Sequence, residues 1–136
     1  EYIKHYPSRH PNLRYFSQHM VELVAGLAPY NEHPEVVEIA QIEKAFADSF
    51  DAADCAAVTL DDLAALDPDK WATLTLEFHQ AVQLLPQRFN SFNIWQALAN
   101  EQAPPECMPE RTTWVVWRQD LVSQYRALDD AEQRSV

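Results

Sequence analysis

Apolar and polar positions recur with a helical period over residues 33–50, HPEVVEIAQIEKAFADSF. At about 100° per residue, Val36, Ile39, Phe46, Ala47 and Phe50 fall on one face, which predicts a helix laid against a core. Pro34 suits its first turn. Glu43 projects to the middle of that predicted face. A carboxylate is rarely buried without a partner, so Glu43 is expected to be a buried structural group tied to an arginine or a backbone N–H from another segment. The functional alternative is a polar group lining a ligand or partner surface. Upstream, Leu13, Phe16, Met20, Leu23, Val24 and Leu27 recur at i, i+3 and i+4. They predict a second amphipathic helix, opened by Pro11 and closed with Gly26 at C′. Tyr2, Ile3 and Tyr6 share helical spacing, and residues 7–11 read as linker.

Beyond residue 50 the period changes. Thr59 and Asp62 form a cap for a short helix through Leu66, and residues 67–70 turn once more. Leu74, Leu76 and Phe78 alternate with Thr73, Thr75 and Glu77, which predicts a half-buried strand. Residues 79–85 read as a second strand, stopped by Pro86, and residues 89–98 as a short helix. The acid- and proline-rich stretch 101–109 is loop. Residues 112–118, TTWVVWR, carry the strongest β signal, with Val115 and Trp117 on one side and Trp114, Val116 and Arg118 on the other. Gln119-Asp120 is the expected turn to a return strand over 121–125, and Asp129 with Glu132 forms a capping box. The expected fold is α+β, mainly α: amphipathic helices with a small antiparallel β element near the C-terminus. Residues 1–70 form the helical part and residues 71–136 a smaller α+β part. Both ends read as cut, the first part as the C-terminal portion of a longer helical domain.

Composition and charge narrow the chemistry. A chain of 136 residues with 47% apolar side chains is the size of one domain with a real core. Its net charge of −11 repels phosphate backbones, which makes nucleic acid an unfavourable partner. A single glycine excludes the Gly-rich nucleotide loops. There is no membrane-spanning run and no signal peptide at residues 1–11. Cys55 and Cys107 make no metal or redox motif and fit a reduced, cytoplasmic protein better than a disulfide scaffold. His5 and His10 flank the proline linker; a metal there is a weaker reading than solvated linker. No metal or other cofactor is expected, and no nucleophile or acid–base set marks an enzyme in its own right.

The candidate partner-binding residues are therefore Trp114, Trp117, Arg118 and His79. Two tryptophans on opposite faces of one strand imply either burial on both sides or a face or edge that docks a partner. Arg118 is the expected contact to a peptide carboxylate. His79 reads either as a satisfied rim imidazole or as a group orienting a substrate on the same surface.

Four blocks, EYIKHYPSRHPNLRYFSQHMVELVAG, IAQIEKAFADSFDA, LEFHQAVQLLPQRFNSFNIWQA and TTWVVWRQDLVSQYRAL, resemble successive blocks of the HvfC/BufC N-terminal domain family, long labelled as DNA-binding. The more specific parts are Tyr2, His5 to Arg9 and Leu13, then Ile42-Glu43 with Ala45-Phe46, Phe78-His79 and Ile94-Trp95. The resemblance implies a non-catalytic adaptor that binds a small precursor peptide and an iron-dependent, oxygenase-like enzyme modifying its cysteines, in metallophore or metal-stress pathways. It matches Glu43 to the acidic residue of a Leu-Glu helix block and His79 to a Leu-His-Pro block, with Gln80 where proline is commoner. A helical segment with a Tyr-Arg-Asn start, usual before these blocks, is not in this sequence. The older label implies a DNA-binding or transcription-regulatory domain instead, which the acidic balance disfavours.

Overall fold

Pro34 opens the longest helix in the computed structural model, which describes residues 1–133. This helix, α3 (Pro34–Asp51), buries Glu38, Ile42, Ala45 and Ser49, a stripe at i, i+4, i+7 and i+11. The buried stripe is rotated by about 110° from the predicted one, at 100° per residue. Glu43 is thereby exposed, which corrects its expected burial. The physical reason lies in side-chain size. Ala45 and Ser49 let the helix backbone approach the sheet closely, while Ile39 and Phe46 flank the contact, half-buried. Hydrophobicity summed around the helix follows the bulky flanks, not the small-residue centre.

The predicted helix over residues 12–27 is divided. Asn12 accepts a hydrogen bond from the Arg14 N–H at 2.9 Å and holds a single 3₁₀ turn, Leu13–Tyr15. Such a side-chain bond competes with helix continuation. Helix α2 begins later (Met20–Gly26), and Gly26 is its last residue without a positive φ, so the C′ reading is corrected. At the start of the chain, α1 (Tyr2–His5) is tied to α2 through Tyr2, whose hydroxyl accepts from the His19 N–H at 3.3 Å. The capping box at Thr59 and Asp62 is made in both directions and opens α4 (Leu60–Ala64).

The expected strand over residues 73–78 does not form. Leu76 and Phe78 are exposed there, and alternation alone makes no strand where no ladder partner exists. The sheet consists of β1 (Gln83–Phe89), β2 (Pro109–Gln119) and β3 (Val122–Ala127), antiparallel in the order β1-β2-β3. Strand β1 runs through Pro86 instead of stopping there. Pro86 lies opposite Thr113 on an edge strand, a position that tolerates a missing N–H. Helix α5 (Ser91–Ala99) follows, and Asn90 fastens the loop before β2 by donating to the Glu106 carbonyl and accepting from the Met108 N–H. The last helix, α6 (Asp130–Gln133), starts on the predicted Asp129/Glu132 box.

Helix α3 crosses one face of the sheet and packs on α5, so residues on both sides of position 70 share one core around Ile42, Phe92 and Val116. No helix among the described residues is long and apolar enough to cross a membrane.

The β2–β3 turn is made by Asp120 and Leu121, with φ of 50° and 61°. Both lie in the left-handed region, as in a type I′ turn, where Asn-Gly is preferred. Leu121 is exposed, so its side chain contributes little packing to offset that conformation. Leu121→Gly is expected to stabilise the protein by about 1 kcal/mol, read as a higher urea midpoint at unchanged slope.

Candidate functional site

The alternation along β2 sorts its side chains onto two different surfaces. On the inner face, Trp114 stacks on Phe92 at 4.0 Å between ring centroids and joins a cluster with Trp95 and Tyr125. Phe46 of α3 stacks on Trp95 at 4.9 Å, completing an aromatic layer between helices and sheet. Trp114 is thus half-buried and packed against the core through Phe92. Glu43 lies at the rim of this layer and accepts a hydrogen bond from the Trp95 indole N–H.

Arg118 also projects inward. Its guanidinium donates to the Phe50 carbonyl and pairs with Asp54, and its side chain is only 11% exposed. Arg14 reaches the same helix end, donating to the Asp51 carbonyl and pairing with its carboxylate, both at 3.0 Å. Two arginines therefore meet the carbonyl-rich C-terminus of α3, where positive charge is favoured. The expected role of Arg118 in holding a peptide carboxylate gives way to this structural one, because both terminal nitrogens are tied to the end of α3 and to Asp54 and the side chain is largely covered.

His79 lies in the loop before β1, not at a strand end. Its Nδ1 accepts from the Ala81 N–H at 3.0 Å, and the Cys55 N–H points to Nε2 from 3.4 Å. A neutral imidazole accepts at one nitrogen only, and the shorter bond assigns that role to Nδ1. His79 shapes the entry into β1. The four candidates therefore do not form one site: Trp114 and Arg118 are inside, His79 supports a loop, and Trp117 alone keeps an outward position.

The carboxylate that sequence reasoning missed is Glu38, 8% exposed. Its Oε1 accepts from the Arg88 N–H at 2.8 Å, while Oε2 accepts from the Ser91 hydroxyl at 2.6 Å and the Phe89 N–H at 3.4 Å. The negative charge thus sits where β1 ends and α5 begins, facing a helix N-terminus. The available signal was the run Glu38, Ile42, Ala45, Ser49, whose polar ends made it look like a solvent face.

The outer face of the sheet carries Leu84, Val115 and Trp117, all half-buried. A groove lined by Phe78, Leu84, Val115, Arg126 and Leu128 runs along it. Arg88 and Arg111 stand where the β1–β2 register shifts between Gln87 and Phe89, both exposed and without an ion-pair partner among the described residues. Strand β3 is an edge strand, and no further strand pairs with it among the described residues.

Arg126 at the groove donates to both Glu132 oxygens, at 2.7 and 2.6 Å, and the Asp129 N–H adds a third bond to that carboxylate. The Arg126 hydrogen bonds, then that of Asp129, lower the Glu132 pKa to about 2. A carboxyl group depressed on folding contributes stability above its unfolded pKa and loses it as pH falls toward the folded one. Arg126→Gln is expected to return Glu132 toward the ordinary carboxylate range, followed by carboxyl-detected NMR titration. Desolvation, then the Glu35 carboxylate, pushes the Cys107 thiol up, away from nucleophilic thiolate chemistry. Among the described residues, no group of three or more His, Cys, Asp or Glu side chains is placed to hold a metal.

No protein-family model, curated protein or solved structure matches this chain. The family resemblance rests on the residue blocks quoted above.

Proposed function

We propose that the protein is a non-catalytic, cytoplasmic adaptor that receives an extended precursor peptide on its β-hairpin and presents it to an iron-dependent, cysteine-modifying enzyme. The observation that carries the peptide-binding part is the unpaired edge of β3 beside an outer face where Val115 and Trp117 remain half-exposed. An edge strand offers main-chain donors and acceptors to an added strand, and the neighbouring side chains supply selectivity. The exposed, unpaired Arg88 and Arg111 of the same sheet favour a peptide with acidic residues, even though the chain as a whole carries −11. The enzyme partner and its cysteine chemistry come from the resemblance to the HvfC/BufC family. In this reading the iron belongs to the partner.

The test uses an iron-oxygenase-like enzyme and a small cysteine-containing peptide, sought first among the products of genes adjacent to this one. In the complex with both, hydrogen exchange is expected to slow across residues 112–125, and Trp117→Ala to weaken peptide binding about thirtyfold, the loss typical of an interface anchor. A complex that forms without added protection in that hairpin removes it as the docking element. Duplex DNA at about 0.1 M salt is expected to bind no more tightly than ~10⁻⁴ M. A saturable, steeply salt-dependent complex of sub-micromolar affinity would favour the nucleic-acid reading instead.

A further inference from the structure

The first nineteen residues contrast with the rest of the chain. They hold Lys4, Arg9 and Arg14 against Glu1 alone, together with His5, His10 and His19, in a protein of net charge −11. The fold gathers much of this basic arm around one cavity of about 320 Å³, between α1, the Pro7–Pro11 linker and the turn leading to α2. One wall is the Tyr6 ring stacked on His19, 4.6 Å apart and 13° from parallel. Another is the pair His10 and Tyr15, 4.8 Å apart. Arg9 lines the space between them and has no ion-pair or hydrogen-bond partner among the described residues.

Three histidines line this cavity, but among the described residues no three His, Cys, Asp or Glu side chains are placed to hold a metal together. The Nδ1 of His5 lies 3.1 Å from the Glu1 carbonyl oxygen. His19 is engaged on both sides, by Glu22 at 2.6 Å and by Gln18 at 3.0 Å. The Arg9 and His10 side chains have no hydrogen-bond partner among the described residues, and Tyr6 and Tyr15 line the same space. Arg9, a donor-only group without a matching acceptor, calls for an anion. Arginine's planar fork and an imidazole N–H suit a phosphate, which offers several acceptor oxygens. Tyr6 is already stacked on His19, and Tyr15 has His10 beside it and the Arg14 guanidinium over its ring at 5.7 Å, so a flat ring packs against the outer surfaces of these pairs.

We propose that this cavity binds a small phosphomonoester carrying a planar ring, with Arg9 and His10 on the phosphate and the tyrosine walls against the ring. The site is separate from the hairpin, so it holds or fails independently of the peptide reading.

Titration calorimetry with adenosine 5′-monophosphate as the probe tests it, with inorganic phosphate and adenosine as comparison ligands. The nucleotide is expected to bind with a Kd of about 1 mM or tighter, and each half alone more weakly. Arg9→Gln is expected to weaken nucleotide binding by about tenfold or more, as loss of a charge-assisted contact does. His10→Ala is expected to weaken it less, and Lys70→Gln, exposed and outside both sites, not at all. Arg9 is exposed on a surface linker, so its substitution leaves the core intact. No saturation by about 10 mM nucleotide overturns the proposal. So does adenosine binding as tightly as the nucleotide, or equal affinity in Arg9→Gln.

Discussion

Glu38→Ala is expected to destabilise the protein by about 3–5 kcal/mol, the scale of removing one member of a buried charged network. Three donors converge on this carboxylate: the Arg88 and Phe89 N–H groups and the Ser91 hydroxyl. Alanine leaves them without an acceptor, at a site too enclosed for water to replace it freely. Glu38→Gln preserves volume and one acceptor oxygen but turns an NH₂ toward the remaining donors, so it should fall between alanine and the native residue. Glu43→Ala is the control on the same helix. It removes one bond to the Trp95 indole at an exposed rim and should cost no more than about 1 kcal/mol. Urea unfolding of the three variants decides which face of α3 is inside: a larger loss at Glu43 than at Glu38 would contradict the helix phase described above.

Phe92→Ala should produce a loss of similar size, about 3–5 kcal/mol, through the cavity left in the aromatic layer. Phe92 is 2% exposed and touches Phe46, Trp95, Trp114 and Tyr125, so its ring links α3, α5 and the sheet at one point. Near-UV circular dichroism should weaken as Trp114 and Trp95 lose a fixed neighbour. Trp117→Ala, on the outer face, should leave that signal nearly intact and cost about 1 kcal/mol, as partly exposed positions do. Near-equal losses at Phe92 and Trp117 would mean that both sheet faces are core, and the docking surface would lose its basis.

Local chemistry was legible where it acts within a few residues. Thr59 with Asp62 and Asp129 with Glu132 both form their boxes, because a cap needs only a side chain and a backbone group three positions apart. The strand over 112–118 and the α+β character were equally readable, since alternation of Thr, Trp and Val expresses a pleated, half-buried surface. The split of Trp114 and Trp117 onto opposite faces followed from the same period of two.

Which face meets what was decided only by the tertiary structure. The phase of α3 depended on where small residues let it approach the sheet, a property of two surfaces together. Arg118 became structural because the C-terminus of α3 arrives beside it from sixty-eight residues away, and no local pattern encodes that meeting. The alternation of residues 73–78 came to nothing because a strand is a relation between two segments. By itself, the sequence determined the two capping boxes, the alternation of β2, the charge and the absence of Gly-rich loops, all of which act over a few bonds or over the whole chain. The buried carboxylate, the sheet's uncovered face and the cavity of the basic arm required long-range packing, which is settled by the shapes that meet.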